Sequence, residues 1–87
     1  MATFRIDRQF PPETTDDDID AAALRNDTCL RLYPQLKWIR SFYDPAAKRS
    51  LCIYETEEPE LIWKHARQAR LPCESVTEVV EWLPESD

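Results

Sequence analysis

His65 is the only histidine among the 87 residues, and its imidazole can take several chemical roles. Positions 61, 62, 65, 66 and 69 are apolar or small apart from His65, and they recur at three- and four-residue spacing. This spacing predicts a helix whose buried stripe includes His65, so the imidazole faces the sheet. An inward imidazole can be a packed ring with one hydrogen bond, a general base or a metal ligand. The sequence leaves these three roles open.

Candidate companions of His65 lie on a predicted strand that precedes the helix. Cys52, Tyr54 and Glu55 are close together there. A set of cysteine, histidine and carboxylate ligands suits a borderline divalent metal such as nickel or zinc. His65, Cys52 and Glu55 therefore form the predicted metal set, drawn from two elements without a local motif.

The composition excludes several classes of function. The chain has no glycine, which dinucleotide and P-loop sites need for close approach of backbone to phosphate. Its net charge of −6 opposes the phosphate contacts of nucleic-acid binding. No apolar run reaches the ~18 residues of a membrane span. The three cysteines have no C-x-x-C spacing and fit reduced thiols. These features predict a cytoplasmic protein that binds neither nucleic acid nor a membrane.

Six elements position the candidate side chains. Strands are predicted at residues 3–10, 36–43, 50–55 and 75–83, and the two middle strands are joined by an Asp-Pro turn at Asp44. Helices are predicted from Thr14 or Thr15 to about Tyr33, and from residues 56–59 to about Arg70. This order predicts one α+β domain over residues 1–87 with a ferredoxin-like βαββαβ fold. Both helices then cover one face of a four-stranded antiparallel sheet.

The two middle strands carry bulky side chains on both faces. Trp38, Ile39, Phe42 and Tyr43 do not alternate with polar residues, as a sheet covered on one side would require. One face can meet the helices, and the other leaves aromatic surface in contact with water. Two copies with stacked sheets would cover it, which predicts a homodimer, in the form of a dimeric α+β barrel. The alternative is a monomer with a ligand groove on that face.

Six segments together resemble a known bacterial family. They are FRIDRQFP at 4–11, WIRSF at 38–42, CIYE at 52–55, HA at 65–66, LP at 71–72 and TEV at 77–79. In order and spacing they resemble the family called domain of unknown function 4242. The resemblance implies a ferredoxin-like homodimer and, through a nickel-binding member, a divalent metal. It implies that the family's Cys, Tyr and His positions correspond to Cys52, Tyr54 and His65.

The sequence departs from that family at Arg8. Some relatives carry a histidine on the first strand, where Arg8 or a neighbour stands in this chain. Arginine is not a metal ligand, but its guanidinium fork suits an anion. The alternative to the metal set is therefore a small acidic ligand, bound by Arg8, Trp38, Tyr54 and His65.

Three functions follow from these features. The leading one is a homodimeric binding protein that holds a nickel-like divalent metal or a small acidic molecule near His65. The second is a cofactor-free oxygenase or isomerase of the dimeric α+β barrel class, with His65 as base and Trp38 and Tyr54 as pocket walls, which rests on fold-level analogy. The third is an accessory domain without chemistry.

Overall fold

The computed structural model describes residues 1–84, so the last three positions of the predicted domain lie outside the described residues. The main elements are β1 (Ala2–Gln9), α1 (Asp16–Cys29), β2 (Lys37–Asp44), β3 (Arg49–Thr56), α2 (Glu60–Gln68) and β4 (Ser75–Val79). The predicted βαββαβ order is confirmed. Neither helix of the described chain has the length and apolar character of a membrane span.

The four strands form one antiparallel sheet in the order β2-β3-β1-β4. Phe4 and Ile6 of β1 pack with Tyr54 of β3 and Ile62 of α2 in one buried core. Ala22 of α1 joins a second cluster with the residues that follow α2. Both helices therefore cover one face of the sheet, which confirms the predicted ferredoxin-like α+β fold. No helix of residues 1–84 lies on the opposite face, which is called the open face below.

Helix α1 begins with a capping box. The Thr15 hydroxyl accepts from the Asp18 backbone N–H at 3.1 Å, and the Asp18 carboxylate accepts from the Thr15 N–H at 2.9 Å. The three consecutive acids, Asp16–Asp18, fill the first turn, where the helix dipole favours negative charge. The helix ends earlier than predicted, because a 3₁₀ turn at Leu30–Leu32 replaces its last turn.

Helix α2 ends in a Schellman motif with an unusual residue. The Leu71 N–H donates to the Ala66 carbonyl at 2.8 Å, and the Arg70 N–H donates to the Arg67 carbonyl at 3.2 Å. Arg70 adopts φ of 56°, a left-handed conformation in which glycine is the favoured residue. Pro72 then prevents the helix from continuing.

A bulge in β2 determines which of its side chains face the helices. Trp38 pairs with Tyr54 and Arg40 pairs with Ile53, so Ile39 is an extra residue between two registered pairs. The bulge changes the spacing of the side chains on the helix-covered face from two to three residues. That face of β2 presents Trp38, Ser41 and Tyr43.

Strand β4 ends four residues before the predicted boundary at 83. Val79 pairs with Thr3, and β1 begins at Ala2, so the chain beyond Val79 has almost no strand left to pair with. Residues 80–83, called the tail below, lie outside the sheet. Val80, Trp82 and Leu83 are 83%, 91% and 73% exposed.

Candidate ligand pocket

A cavity of about 80 Å³ lies between α1 and the helix-covered face of the sheet. Ala22 and Ala23 of α1 leave this space because their side chains end at Cβ. On the sheet side, Trp38 of β2 lines the cavity, and its indole N–H donates to the Ser41 hydroxyl at 2.8 Å. The lining residues are Arg8, Phe10, Ile19, Ala22, Ala23, Asn26, Trp38, Ser41, Tyr43, Ser50, Cys52 and Leu71.

Arg8 is the charged residue of the cavity wall, and it is 2% exposed. Strand alternation places it on the same face as Ile6. Its Nη1 donates to the Pro72 carbonyl at 2.7 Å, and its Nη2 donates to the Tyr54 hydroxyl at 3.1 Å. Within residues 1–84, no carboxylate forms an ion pair with it. A guanidinium stays charged in proteins, and a buried charge without an opposite partner is costly.

A chain of hydrogen bonds through Tyr54 and Asn26 holds the Arg8 side chain in place. The Tyr54 hydroxyl, which accepts from Arg8, donates to the Asn26 Oδ1 at 2.6 Å. His65 Nε2 lies 2.9 Å from the Asn26 backbone carbonyl, and since a carbonyl only accepts, Nε2 carries the proton. Burial raises the pKa of Tyr54 to about 12, against the opposing effect of the Arg8 charge, so the phenol stays protonated at neutral pH.

His65 is fully buried and lies outside the cavity wall. Its ring packs edge-on against Tyr33 and Tyr54, with centroids 6.1 and 5.9 Å apart. Burial lowers its pKa below 6.5, and the hydrogen bond to the Asn26 carbonyl opposes that shift. Its Nδ1 has no hydrogen-bond partner within the described residues. The structure places His65 as a neutral, packed ring that fixes the backbone of α1 at Asn26.

The structure separates the six predicted site residues into three groups. Arg8, Trp38 and Cys52 line the cavity. Tyr54 and His65 do not line the cavity: Tyr54 contacts Arg8 of the wall, and His65 packs against Tyr54. Glu55 lies on the open face, because a residue three positions from Cys52 in a regular strand points the other way.

Sequence reasoning missed three polar residues of the cavity wall, Ser41, Ser50 and Tyr43. Arg8 pairs with Ser50 across β1 and β3, and Ser50 pairs with Tyr43 across β3 and β2. The Tyr43 hydroxyl is buried without a hydrogen-bond partner among the described residues. The only signal that could have found them is the pairing register, which depends on the bulge.

The predicted metal set does not assemble within one chain. Cys52 and His65 are on the helix-covered side of the sheet, whereas Glu55 is on the open face. No three His, Cys, Asp or Glu side chains within residues 1–84 are grouped as a metal ion requires. The buried charge of Arg8 in the cavity that Cys52 lines also opposes a cation. The donors described in one chain do not fit a nickel ion.

The fold and the cavity define a small ferredoxin-like domain with a ligand-sized pocket under its first helix. A model of the family described as "Nickel responsive protein SCO4226-like" matches residues 4–79, and the chain belongs to this family. The predicted resemblance to domain of unknown function 4242 is compatible with it, although the family model carries a different name. No curated protein matches the chain significantly.

A solved structure supports the fold independently. The chain is similar to SCO4226 from Streptomyces coelicolor A3(2), known from a crystal structure, with a TM-score of 0.80 and 17% sequence identity. The match covers 94% of this chain and 100% of that chain. At this level of identity the similarity concerns the fold alone.

Proposed function

We propose that this chain is a homodimeric binding protein that holds a small carboxylate on Arg8, in the cavity beneath α1. One observation carries the proposal: a guanidinium that is 2% exposed, without a carboxylate partner in the described chain, lines the cavity. A carboxylate would supply the missing negative charge, and its two oxygens match the fork of an arginine.

The size and walls of the cavity indicate a short-chain acid. A buried cavity of about 150 Å³ holds benzene, so 80 Å³ has room for an acid of acetate or propionate size. Phe10, Ile19 and Leu71 would contact its alkyl part. The hydroxyl of Tyr43 offers a second donor to the carboxylate. The apolar part of the wall favours such an acid over phosphate or sulfate, whose oxygens all need polar partners.

The cavity wall favours binding over catalysis. Apart from the Cys52 thiol and the Tyr43 hydroxyl, the described residues that line it offer no acid or base, since no aspartate, glutamate, histidine or lysine is among them. A cofactor-free oxygenase or isomerase needs an acid or base within hydrogen-bond reach of its substrate. His65, the base considered in the sequence analysis, donates to a backbone carbonyl outside the wall.

The open face of the sheet supports pairing with a second copy. Leu51 and Ile53 of β3 and Ile39 of β2 are only half-buried there, and Phe42 is 64% exposed. An apolar strip of this kind on a small domain is a feature of protein interfaces. Isologous stacking of two open faces would cover it in both copies at once.

The carboxylate site is tested by titration of metal-stripped protein, followed by calorimetry and by the NMR signal of the Trp38 indole N–H. We expect propionate to bind at millimolar concentration or tighter and to shift this signal, because the indole lies in the cavity wall. Propionamide, which has the same shape without the charge, should not bind. Arg8→Gln should abolish propionate binding. Arg5→Gln, on the open face of the same strand, should leave it unchanged.

A second variant covers the case in which Arg8→Gln does not fold. Ala23 is exposed on its outer side and lines the cavity, so Ala23→Leu should block the pocket without disturbing the core. Nickel chloride serves as the competing ligand, since the family description names nickel. Tight nickel binding that is lost in His65→Ala and retained in Arg8→Gln, without any propionate binding, would overturn the proposal.

A further inference from the structure

The tail and the open face form an apolar groove that is incomplete. A cavity of about 390 Å³ lies between residues 80–83 and the sheet, with Ile39, Leu51 and Ile53 in its floor. The tail contributes to the wall of this groove, yet Trp82 is 91% exposed and Leu83 is 73% exposed. The described chain thus holds both an indole-sized groove and an indole that lies almost wholly in solvent.

The charges at the groove are complementary between the face and the tail. Arg40 of β2 lines the groove, and so does Glu81 of the tail. Neither is in an ion pair within residues 1–84. By contrast, Arg5 and Arg49, two further cations of the open face, are paired with Asp7 and Glu74 at 2.9 and 2.8 Å.

We propose that the tails are exchanged between two copies, so that Trp82 of each copy inserts into the groove of its partner and Glu81 pairs with the partner's Arg40. The inference rests on the pairing of copies proposed above and names the segment that closes it. An indole offers enough surface to anchor an interface, and the space between the tail and the sheet has room for one. Two-fold symmetry makes both insertions equivalent, so each groove is filled and no tail is left exposed.

The first test measures the dimer dissociation constant by sedimentation. Trp82→Ala should weaken the dimer by roughly 100-fold, since a buried aromatic anchor is lost twice per dimer. Trp63→Ala is the matched control, because Trp63 is 44% exposed on α2, on the other side of the sheet. It should leave the dimer unchanged. If the Trp82→Ala dimer is as tight as the wild-type dimer, tail exchange is rejected and the dimer is retained. If the wild-type protein is monomeric, both the tail exchange and the dimer are rejected.

A charge exchange tests the pairing of Glu81 with Arg40. Arg40→Glu and Glu81→Arg should each weaken the dimer by about tenfold, because each places two like-charge contacts in it. The double variant Arg40→Glu/Glu81→Arg should recover most of the wild-type affinity. Trp82 fluorescence, read in Trp38→Phe/Trp63→Phe protein, should move to shorter wavelength as the protein concentration rises through the dissociation constant. A short wavelength that does not depend on concentration would place the indole in its own groove and overturn the exchange.

Discussion

Arg8 occupies a position where sequence patterning alone would place an apolar residue. It follows Phe4 and Ile6 on the buried side of β1, and it keeps a full charge there. Two neutral acceptors, the Pro72 carbonyl and the Tyr54 hydroxyl, satisfy part of its hydrogen-bonding capacity. Neither supplies a negative charge. The carboxylate proposed for the adjacent cavity would supply it.

Tyr54→Phe tests whether the hydrogen-bond chain holds Arg8 in place. Loss of the hydroxyl leaves Arg8 Nη2 without its acceptor and Asn26 Oδ1 without its donor, both buried. We expect the free energy of unfolding to fall by about 1–3 kcal/mol and propionate affinity to fall severalfold. Urea denaturation and calorimetry measure the two effects. Tyr33→Phe, in the other ring that packs on His65, should change neither by much. Unchanged stability in Tyr54→Phe would mean that water replaces the hydroxyl.

His65 gives the fold a specific pH dependence. Its pKa is lowered in the folded state, so well above pH 6.5 the ring is neutral both folded and unfolded. As pH falls below 6.5, the unfolded chain takes up the proton first, and stability decreases until the lowered folded pKa is reached. The nearby charge of Arg8 acts in the same direction as burial.

The prediction is that wild-type protein loses stability as the pH falls through 6.5, and that His65→Gln lacks this loss. Glutamine can still donate to the Asn26 carbonyl, and it carries no titrating group. Chemical denaturation at pH values on either side of 6.5 measures the difference between the two proteins. Asp7 and Glu74 have pKa values lowered from 3.8 and 4.5, so their contribution is lost at lower pH. Parallel curves for wild type and variant would show that His65 does not titrate on unfolding.

At the scale of elements, periodicity predicted what depends on local pattern and failed where pairing decides. The order of strands and helices, the inward side of α2 and the hairpin of β2 and β3 all followed from spacing and turn residues. The bulge at Ile39 did not, because an extra residue between paired strands has no signature in an apolar run. Ser41 and Tyr43 line the cavity because of that bulge. The predicted end of β4 was also wrong, because β4 can extend only as far as β1, its pairing partner, begins.

Arg70 makes the end of α2 less stable than the same motif with glycine. A residue with a Cβ is strained at φ of 56°, and the backbone N–H of Arg70, which a substitution retains, makes its contact in the motif. We predict that Arg70→Gly raises the free energy of unfolding by about 1 kcal/mol. Arg67→Gly, three residues earlier within the helix, should lower it by about the same amount. Thermal and urea denaturation check both, and equal effects of the two changes would contradict the prediction.

At the scale of the whole molecule, one sheet separates two proposed sites. Alternation along β3 sends Cys52 and Tyr54 toward the helices and Ile53 toward the open face. The carboxylate pocket lies under α1, and the surface for the second copy lies on the other side. A chain of 87 residues has a small core, so covering the open face also adds stability that the single copy lacks.

This separation predicts that dimer formation and acid binding can be lost independently. Ile53→Asp places a charge on the open face and should give a folded monomer by sedimentation and circular dichroism. Its propionate affinity should stay within about twofold of wild type, since no residue of the cavity wall is changed. Ile53→Val, which keeps the apolar surface, should remain a dimer. If the folded monomer instead lost propionate binding, the partner copy would have to shape the cavity through the sheet, and Arg8 alone would not define the site.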